Sequence, residues 1–187
     1  SPTRASVMTG RHSFRVNVPN HGHYLRPHET TVAEALGSAG YVTGHFGKWH
    51  MGGQRDVVDA PEIAEYGFEQ SLTNFEGMGP KLLPLVWKPG QDRPGKIWGD
   101  AEQLGDGYQW MLRSRITGGF VDAAKAFIDE AQNRGKPFYI NVWPDDVHSP
   151  FWPPVDKWAD GSQSILQVQI LKSQDMTLKR KVLVKIY

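Results

Sequence analysis

The sequence predicts an α/β fold, with a sheet flanked by helices and chemistry on the loops beyond the strands' carboxyl ends. Two segments carry that prediction. FVDAAKAFIDEAQNRGK puts Phe120, Ala123, Ala124, Phe127, Ile128 and Ala131 on one side of a helix and runs directly into the apolar strand PFYINVW. TTVAEALGSAG spaces Thr31 and Glu34 as a capping box, ahead of a second strand beginning YVTGHFG. Helix, short loop, strand and polar loop is the order of an α/β sheet. In such sheets ligands bind outside the carboxyl ends of the strands.

Taken in chain order, residues 2–9 read as a short helix. Pro2 suits its first turn, Ser1 is placed to cap it, and Gly10 is placed to end it. A polar loop from Asn17 to Glu29 follows. The helix after it has Val32, Ala35, Leu36 and Ala39 as its apolar face and stops at Gly40. The strand from Tyr41 ends in a loop flanked by Gly44, Gly47 and Gly52–Gly53. Residues 54–118 contain YGFEQSL, read as a strand, and then a stretch broken by Pro80, Pro84, Pro89 and Pro94. Such a segment reads as a substrate-facing excursion. The helix from Gly119 stops at Gly135, and the strand after it enters PDDVHSPFWPP. From Gly161 to Tyr187 Trp, Pro and His vanish and Gln, Lys and Val dominate. That tail is either non-native to the domain or an ordinary pair of edge strands. There are no internal repeats.

The chain has 187 residues, enough for one domain or a large piece of one. It is 39% hydrophobic and 22% charged, the composition of an ordered protein with a real core. The net charge of +1 supplies no field to recruit nucleic acid or an anionic membrane, so an anion must be held by a local cluster. Cysteine is absent, which excludes disulfides and thiolate metal sites in these residues. No apolar run reaches the ~20 residues of a membrane-spanning helix. The chain opens on Ser1 rather than Met, inside a structural element, so the expectation is that residues precede it.

Four places carry residues suited to chemistry. Arg4 lies in the first turns of a helix, where free N–H groups attract anions and a guanidinium adds planar charged donors. An exposed surface Arg is the alternative. In GKWH, Lys48 and His50 are two apart, so on an extended segment a point cation and a titratable imidazole face one side. The alternative is a surface Lys beside a packed His, and the neighbouring glycines favour close approach of backbone to a ligand. His148, in DDVHSPFWPP, is held between prolines and aromatics. It is either a site residue or a His satisfied by Asp145 or Asp146. That Asp pair could suggest a hard-cation site, but no third carboxylate stands near it. His21, His23 and His28 read as a polar loop, and Asp122, Asp129 and Glu130 as a solvated helix face.

The order of these features is specific where each alone is not. SPTRASVMTGR, then GYVTGHFGKWH, then a strand ending at HSPFWPP, closely resembles the N-terminal catalytic domain of the type I sulfatases of the alkaline-phosphatase superfamily. Pro2, Thr3, Arg4, Thr9, Gly10 and Arg11 match the first motif. Gly40, Tyr41, Thr43, Gly47, Lys48, Trp49 and His50 match the second, and His148 and Pro150 the third. The resemblance covers roughly residues 1–160 and implies a partial catalytic domain there, with 161–187 as an atypical tail. It also implies an alkaline-phosphatase-like, mixed or mostly parallel sheet flanked by helices, incomplete in this chain.

The resemblance further implies cleavage of sulfate monoesters by a formylglycine made from Cys or Ser. One residue separates that position from Pro2, so Ser1 is the spacer and the nucleophile precedes it. Arg4 would orient the formylglycine, and Lys48 and His148 would hold sulfate oxygens. His50 would hydrogen-bond the formylglycine hydroxyl and assist release of the sulfate. Ca²⁺ is implied for the intact enzyme, on carboxylates and Asn that have no match here. The chain as it stands is therefore expected to show no turnover. Export from the cytoplasm is likewise implied only by the family. A phosphodiesterase or phosphonate hydrolase of the same superfamily is the second reading, and a non-catalytic remnant retaining an anion pocket is the third. Trp87, Trp98, Tyr108 and Trp110 either line a sugar or aryl subsite or belong to the core.

Overall fold

The computed structural model describes residues 1–52, 59–87, 91–105 and 107–145. Its elements are α1 (Pro2–Thr9), α2 (Val32–Ser38), β1 (Val42–Gly47), β2 (Gln70–Thr73), β3 (Lys81–Val86), β4 (Gly95–Lys96), β5 (Tyr108–Leu112), α3 (Ile116–Asn133) and β6 (Phe138–Trp143). Short 3₁₀ turns lie at Ile63–Tyr66, Gly99–Gln103 and Arg113–Arg115. The strands form one sheet in the order β4-β3-β2-β1-β6, with β5 also pairing with β3. All pairs are parallel except β3 with β4. This is the mostly parallel α/β sheet that the sequence predicts.

β1 is buried along its whole length because each face packs against a separate layer. Val42 and Phe46 join Phe120, Ala124, Phe127 and Ala131 of α3 in one core. On the opposite face Ala5 and Met8 of α1, Ala33 of α2, Trp49, Tyr66 and Phe68 make a second core. A parallel strand covered on both faces needs side chains that tolerate burial in both directions. β1 meets that need with Val42 and Phe46 on one side and Thr43 and His45 on the other. Thr43 Oγ1 donates to Gly67 O at 2.6 Å and accepts from Glu69 N–H at 3.0 Å, so it ties β1 to the entry of β2.

Several sequence expectations are corrected. In α2 the capping box forms as expected, with Glu34 N–H donating to Thr31 Oγ1 at 3.1 Å and Thr31 N–H to Glu34 at 2.7 Å. Val32 packs on the core as expected, but Ala33 is the buried residue of the helix and Ala35 and Ala39 face solvent. α3 begins at Ile116, earlier than Gly119, because Ile116 is itself a core residue. PFYINVW is a strand, but only Asn141 in it is buried, since β6 lies at the margin of the sheet among the described residues.

The largest correction concerns 54–118. It is not a plain excursion, for it supplies β2, β3, β4 and β5. Pro84 sits inside β3, whose Leu82, Leu83 and Val86 are buried between neighbouring layers. Burial and pairing override the loop signal of the prolines there. Of the aromatics in this segment, Trp98 stacks on Phe75 with ring centres 3.7 Å apart, and Trp98 and Trp110 pack against the small core of Phe75, Leu83 and Ala101. Lys96 lies over the Trp110 ring at 4.8 Å. The expectations for Gly53, Asp146, His148, Pro150 and the tail at 161–187 fall outside the described residues.

Candidate oxyanion site

Sheet register levels three strand ends. Gly47, the last residue of β1, is paired with Thr73 at the end of β2 and with Trp143 at the end of β6. The loops that follow therefore leave the sheet side by side, carrying Lys48, Glu76 and Asp145. Gly47 is required at this point. Its φ is +115°, and a Cβ there would lie 2.0 Å from the Trp143 carbonyl oxygen. That carbonyl instead accepts the Lys48 N–H at 2.7 Å. Gly47 thus meets a demand of protein packing. Gly52 is the second case, with φ +121° and a hypothetical Cβ 2.3 Å from that of Ala60.

Lys48 and His50 do converge, but not along an extended segment. His50 has a left-handed backbone, φ 58°, and its N–H donates to Glu76 O at 3.0 Å. Both side chains meet one carboxylate. Lys48 Nζ is 2.7 Å from Glu76 Oε2, and His50 Nε2 is 3.6 Å from Glu76 Oε1. Lys48 and Glu76 are each buried at 6% exposure. Removing one partner of such a pair costs about 3–5 kcal/mol, because the other is left charged without compensation. Trp49, between the two motif residues, turns the other way into the core and packs on His45 and Tyr66.

The first motif docks directly on the second. Ser1 begins α1 without a side-chain cap bond; its hydroxyl donates to His50 O at 2.5 Å. Met8 Sδ accepts from Asn141 Nδ2 at 3.4 Å, which seats α1 on β6. Gly10 ends the helix in the left-handed conformation as expected, and Arg11 pairs with the buried carboxylate of Glu29. Arg4 lies over the Trp143 ring, 5.4 Å from its centre. Burial lowers the pKa of its guanidinium, and Glu76 and Asp145 oppose that shift. Arg4 therefore shares one electrostatic environment with the residues past β2 and β6. Its Nε is buried without a hydrogen-bond partner among the described residues.

Asp145 is paired with a residue distant in sequence. Arg113, just after β5, donates from Nη2 to Asp145 O at 3.1 Å and lies 3.6 Å from Asp145 Oδ2. Both residues are buried. Among the described residues no group of three or more His, Cys, Asp or Glu could hold a metal. His21, His23 and His28 accordingly form no such group, and Asp129 and Asp122 lie on the exposed face of α3. His45 is a core residue enclosed by the rings of Trp49, Phe68 and Trp143. Burial drives its pKa down to about 3, with the nearby Arg4 acting in the same direction. His45 is thus neutral near pH 7 and no proton donor for the site, whereas His50 faces Glu76 at the loop surface.

Arg4, Lys48 and His50 are brought to one place, and His148 lies outside the described residues. Sequence reading missed Glu76, Arg113 and Trp143. A signal existed for Glu76: it follows a predicted strand in a parallel sheet, where site loops occur. For Arg113 there was none, because its partner is distant in sequence.

The sulfatase family model matches residues 1–165. Human arylsulfatase G is 30% identical over 171 residues, covering 80% of this chain and 32% of that protein. Rat steryl-sulfatase is 38% identical over 115 residues, covering 56% of this chain and 19% of that protein. The chain thus spans about a third of the length of the arylsulfatase G relatives it matches. The crystal structure of Ps i-CgsB in complex with k-i-k-neocarrahexaose superposes with a TM-score of 0.58 at 20% identity, over 83% of this chain and 36% of that one. BT4656 in complex with D-glucosamine-2-N,6-O-disulfate gives 0.51 at 23%, over 81% and 26%. These structures share the fold. With the family model spanning residues 1–165 and both long motifs meeting at the ends of β1, β2 and β6, the chain belongs to the sulfatase family.

Proposed function

We propose that this chain carries the oxyanion-binding part of a sulfuric ester hydrolase that acts on sulfate monoesters. The observation that supports this most directly is that Lys48 and His50 meet at Glu76 beyond the sheet's carboxyl edge, with Arg4 of the other motif over neighbouring Trp143. Arg4 and Lys48 would offset the negative oxygens of a transferring sulfuryl group, and contacts of that type are worth about 3 kcal/mol each in rate. His50 is placed to hold or move a proton at an ester or nucleophile oxygen. His148 is proposed as a second sulfate contact on family grounds.

The formylglycine expected of the family would supply the nucleophilic oxygen from the position before Ser1. Ser1 supports that placement, since its hydroxyl is already bonded to the backbone of His50. Calcium does not fit the described residues. Asp145 pairs with Arg113 and Glu76 with Lys48, and among the described residues no group of three or more His, Cys, Asp or Glu could hold the ion. Release outside the cytoplasm is a further proposal carried by the family alone.

The test uses protein extended at both ends to the length of its arylsulfatase relatives, so that it includes the residue before Ser1 and the expected metal ligands. Hydrolysis of 4-nitrophenyl sulfate should exceed that of 4-nitrophenyl phosphate and bis(4-nitrophenyl) phosphate, and Lys48→Ala should lower kcat about 10²–10³-fold. Preference for a phosphate ester would favour the phosphodiesterase reading, and loss of all three activities the non-catalytic one.

A further inference from the structure

An anion site built from buried cations must be stable before its anion arrives. Lys48 is 6% exposed, and a buried ammonium without a counter-charge is costly. Glu76 supplies that counter-charge from within the chain, 2.7 Å from Lys48 and 3.6 Å from His50. It is a carboxylate set where the proposed substrate would place a negatively charged oxygen.

The backbone of Glu76 is fixed, and among the described residues its carboxylate pairs with Lys48 and faces His50. Its N–H donates to Asn74 Oδ1 at 3.0 Å, and its carbonyl accepts from His50 N–H at 3.0 Å. Rotation of the side chain would break the pair with Lys48 while leaving these backbone bonds, and so the loop register, intact. If the carboxylate stayed, a sulfate at Lys48 would meet a like charge within a few ångströms among partly buried groups. That repulsion is large on the scale of an anion's binding energy.

We infer that Glu76 is an internal counter-anion, which holds Lys48 and faces His50 while the pocket is empty and is displaced by the incoming oxyanion. It acts as a positioning residue rather than a catalytic one, and it sets how strongly an anion must bind to open the site. This rests on the oxyanion reading above.

The test is calorimetric titration of the purified protein with sodium sulfate at constant ionic strength, for the unaltered chain, Glu76→Gln and Glu76→Asp. Glu76→Gln should bind sulfate tighter by on the order of tenfold or more. It should also unfold at a lower temperature without sulfate and gain more from added sulfate than the unaltered protein does. Glu76→Asp keeps the charge and should stay close to the unaltered affinity. If the unaltered protein binds sulfate and Glu76→Gln binds equally or more weakly, the counter-anion role is wrong and the oxyanion reading stands. If neither binds sulfate, both fall. Should Glu76→Gln not fold, a crystal structure of the unaltered protein grown with sulfate decides. Glu76 Oε2 is expected beyond about 4 Å from Lys48 Nζ, outside ion-pair distance, with a sulfate oxygen in its place. Sulfate at Lys48 with the ion pair intact overturns the inference, and an empty pocket at high sulfate overturns both readings.

Discussion

His45 and His50 occupy the same motif, yet their surroundings give them opposite uses. His50 meets a carboxylate at the mouth of the site, while His45 is enclosed by aromatic rings and stays neutral down to about pH 3. The folded state thus binds fewer protons than the unfolded chain between about pH 6.5 and 3, so stability rises with pH across that window. The contribution is fully present above the unfolded pKa and is lost as the pH falls, by on the order of 4 kcal/mol in total. Urea midpoints measured against pH should show this slope, and His45→Leu should flatten it. An unchanged slope would mean that other groups carry the acid sensitivity. At this scale the sequence named Arg4, Lys48 and His50 through a helix start and a tight motif. It could not name Glu76 or Arg113 as partners, because charge pairs across 28 or 32 positions arise only when the sheet is assembled.

Among the elements, β1 bears most of the structural demand, since it pairs on both edges and packs on both faces. Gly47→Ala should destabilise the protein by roughly 3 kcal/mol or more, combining left-handed strain with a clash against the Trp143 carbonyl. Chemical denaturation measures it, and a loss below about 1 kcal/mol would show that β6 can shift aside. Thr31→Ala removes the α2 cap and a buried hydrogen bond to Tyr66 O, for an expected cost of about 1–2 kcal/mol in the same assay. The capping box, the amphipathic α3 and the start of β1 were legible because each is a local pattern. β3, β4 and β5 were hidden, since Pro80 and Pro84 signal turns locally. The burial that makes KLLPLV a strand depends on distant partners.

Across the whole molecule, parallel register does the work of assembly. It ends β1, β2 and β6 at one level, so residues from separate loops meet without any one segment encoding the site. Ser1 bonding to His50, and Met8 to Asn141, then fix α1 above that edge with Arg4 beside Trp143. The central claim is that Arg4 and Lys48, from different motifs, hold a single oxyanion. Sulfate affinity of Arg4→Ala, Lys48→Ala and the double variant, with folding checked by circular dichroism, tests it most directly. Each single change should weaken binding by about tenfold or more, the worth of one charged hydrogen bond. The double variant should lose less than the two effects summed. Folded single variants that bind sulfate as well as the unaltered protein would contradict the account.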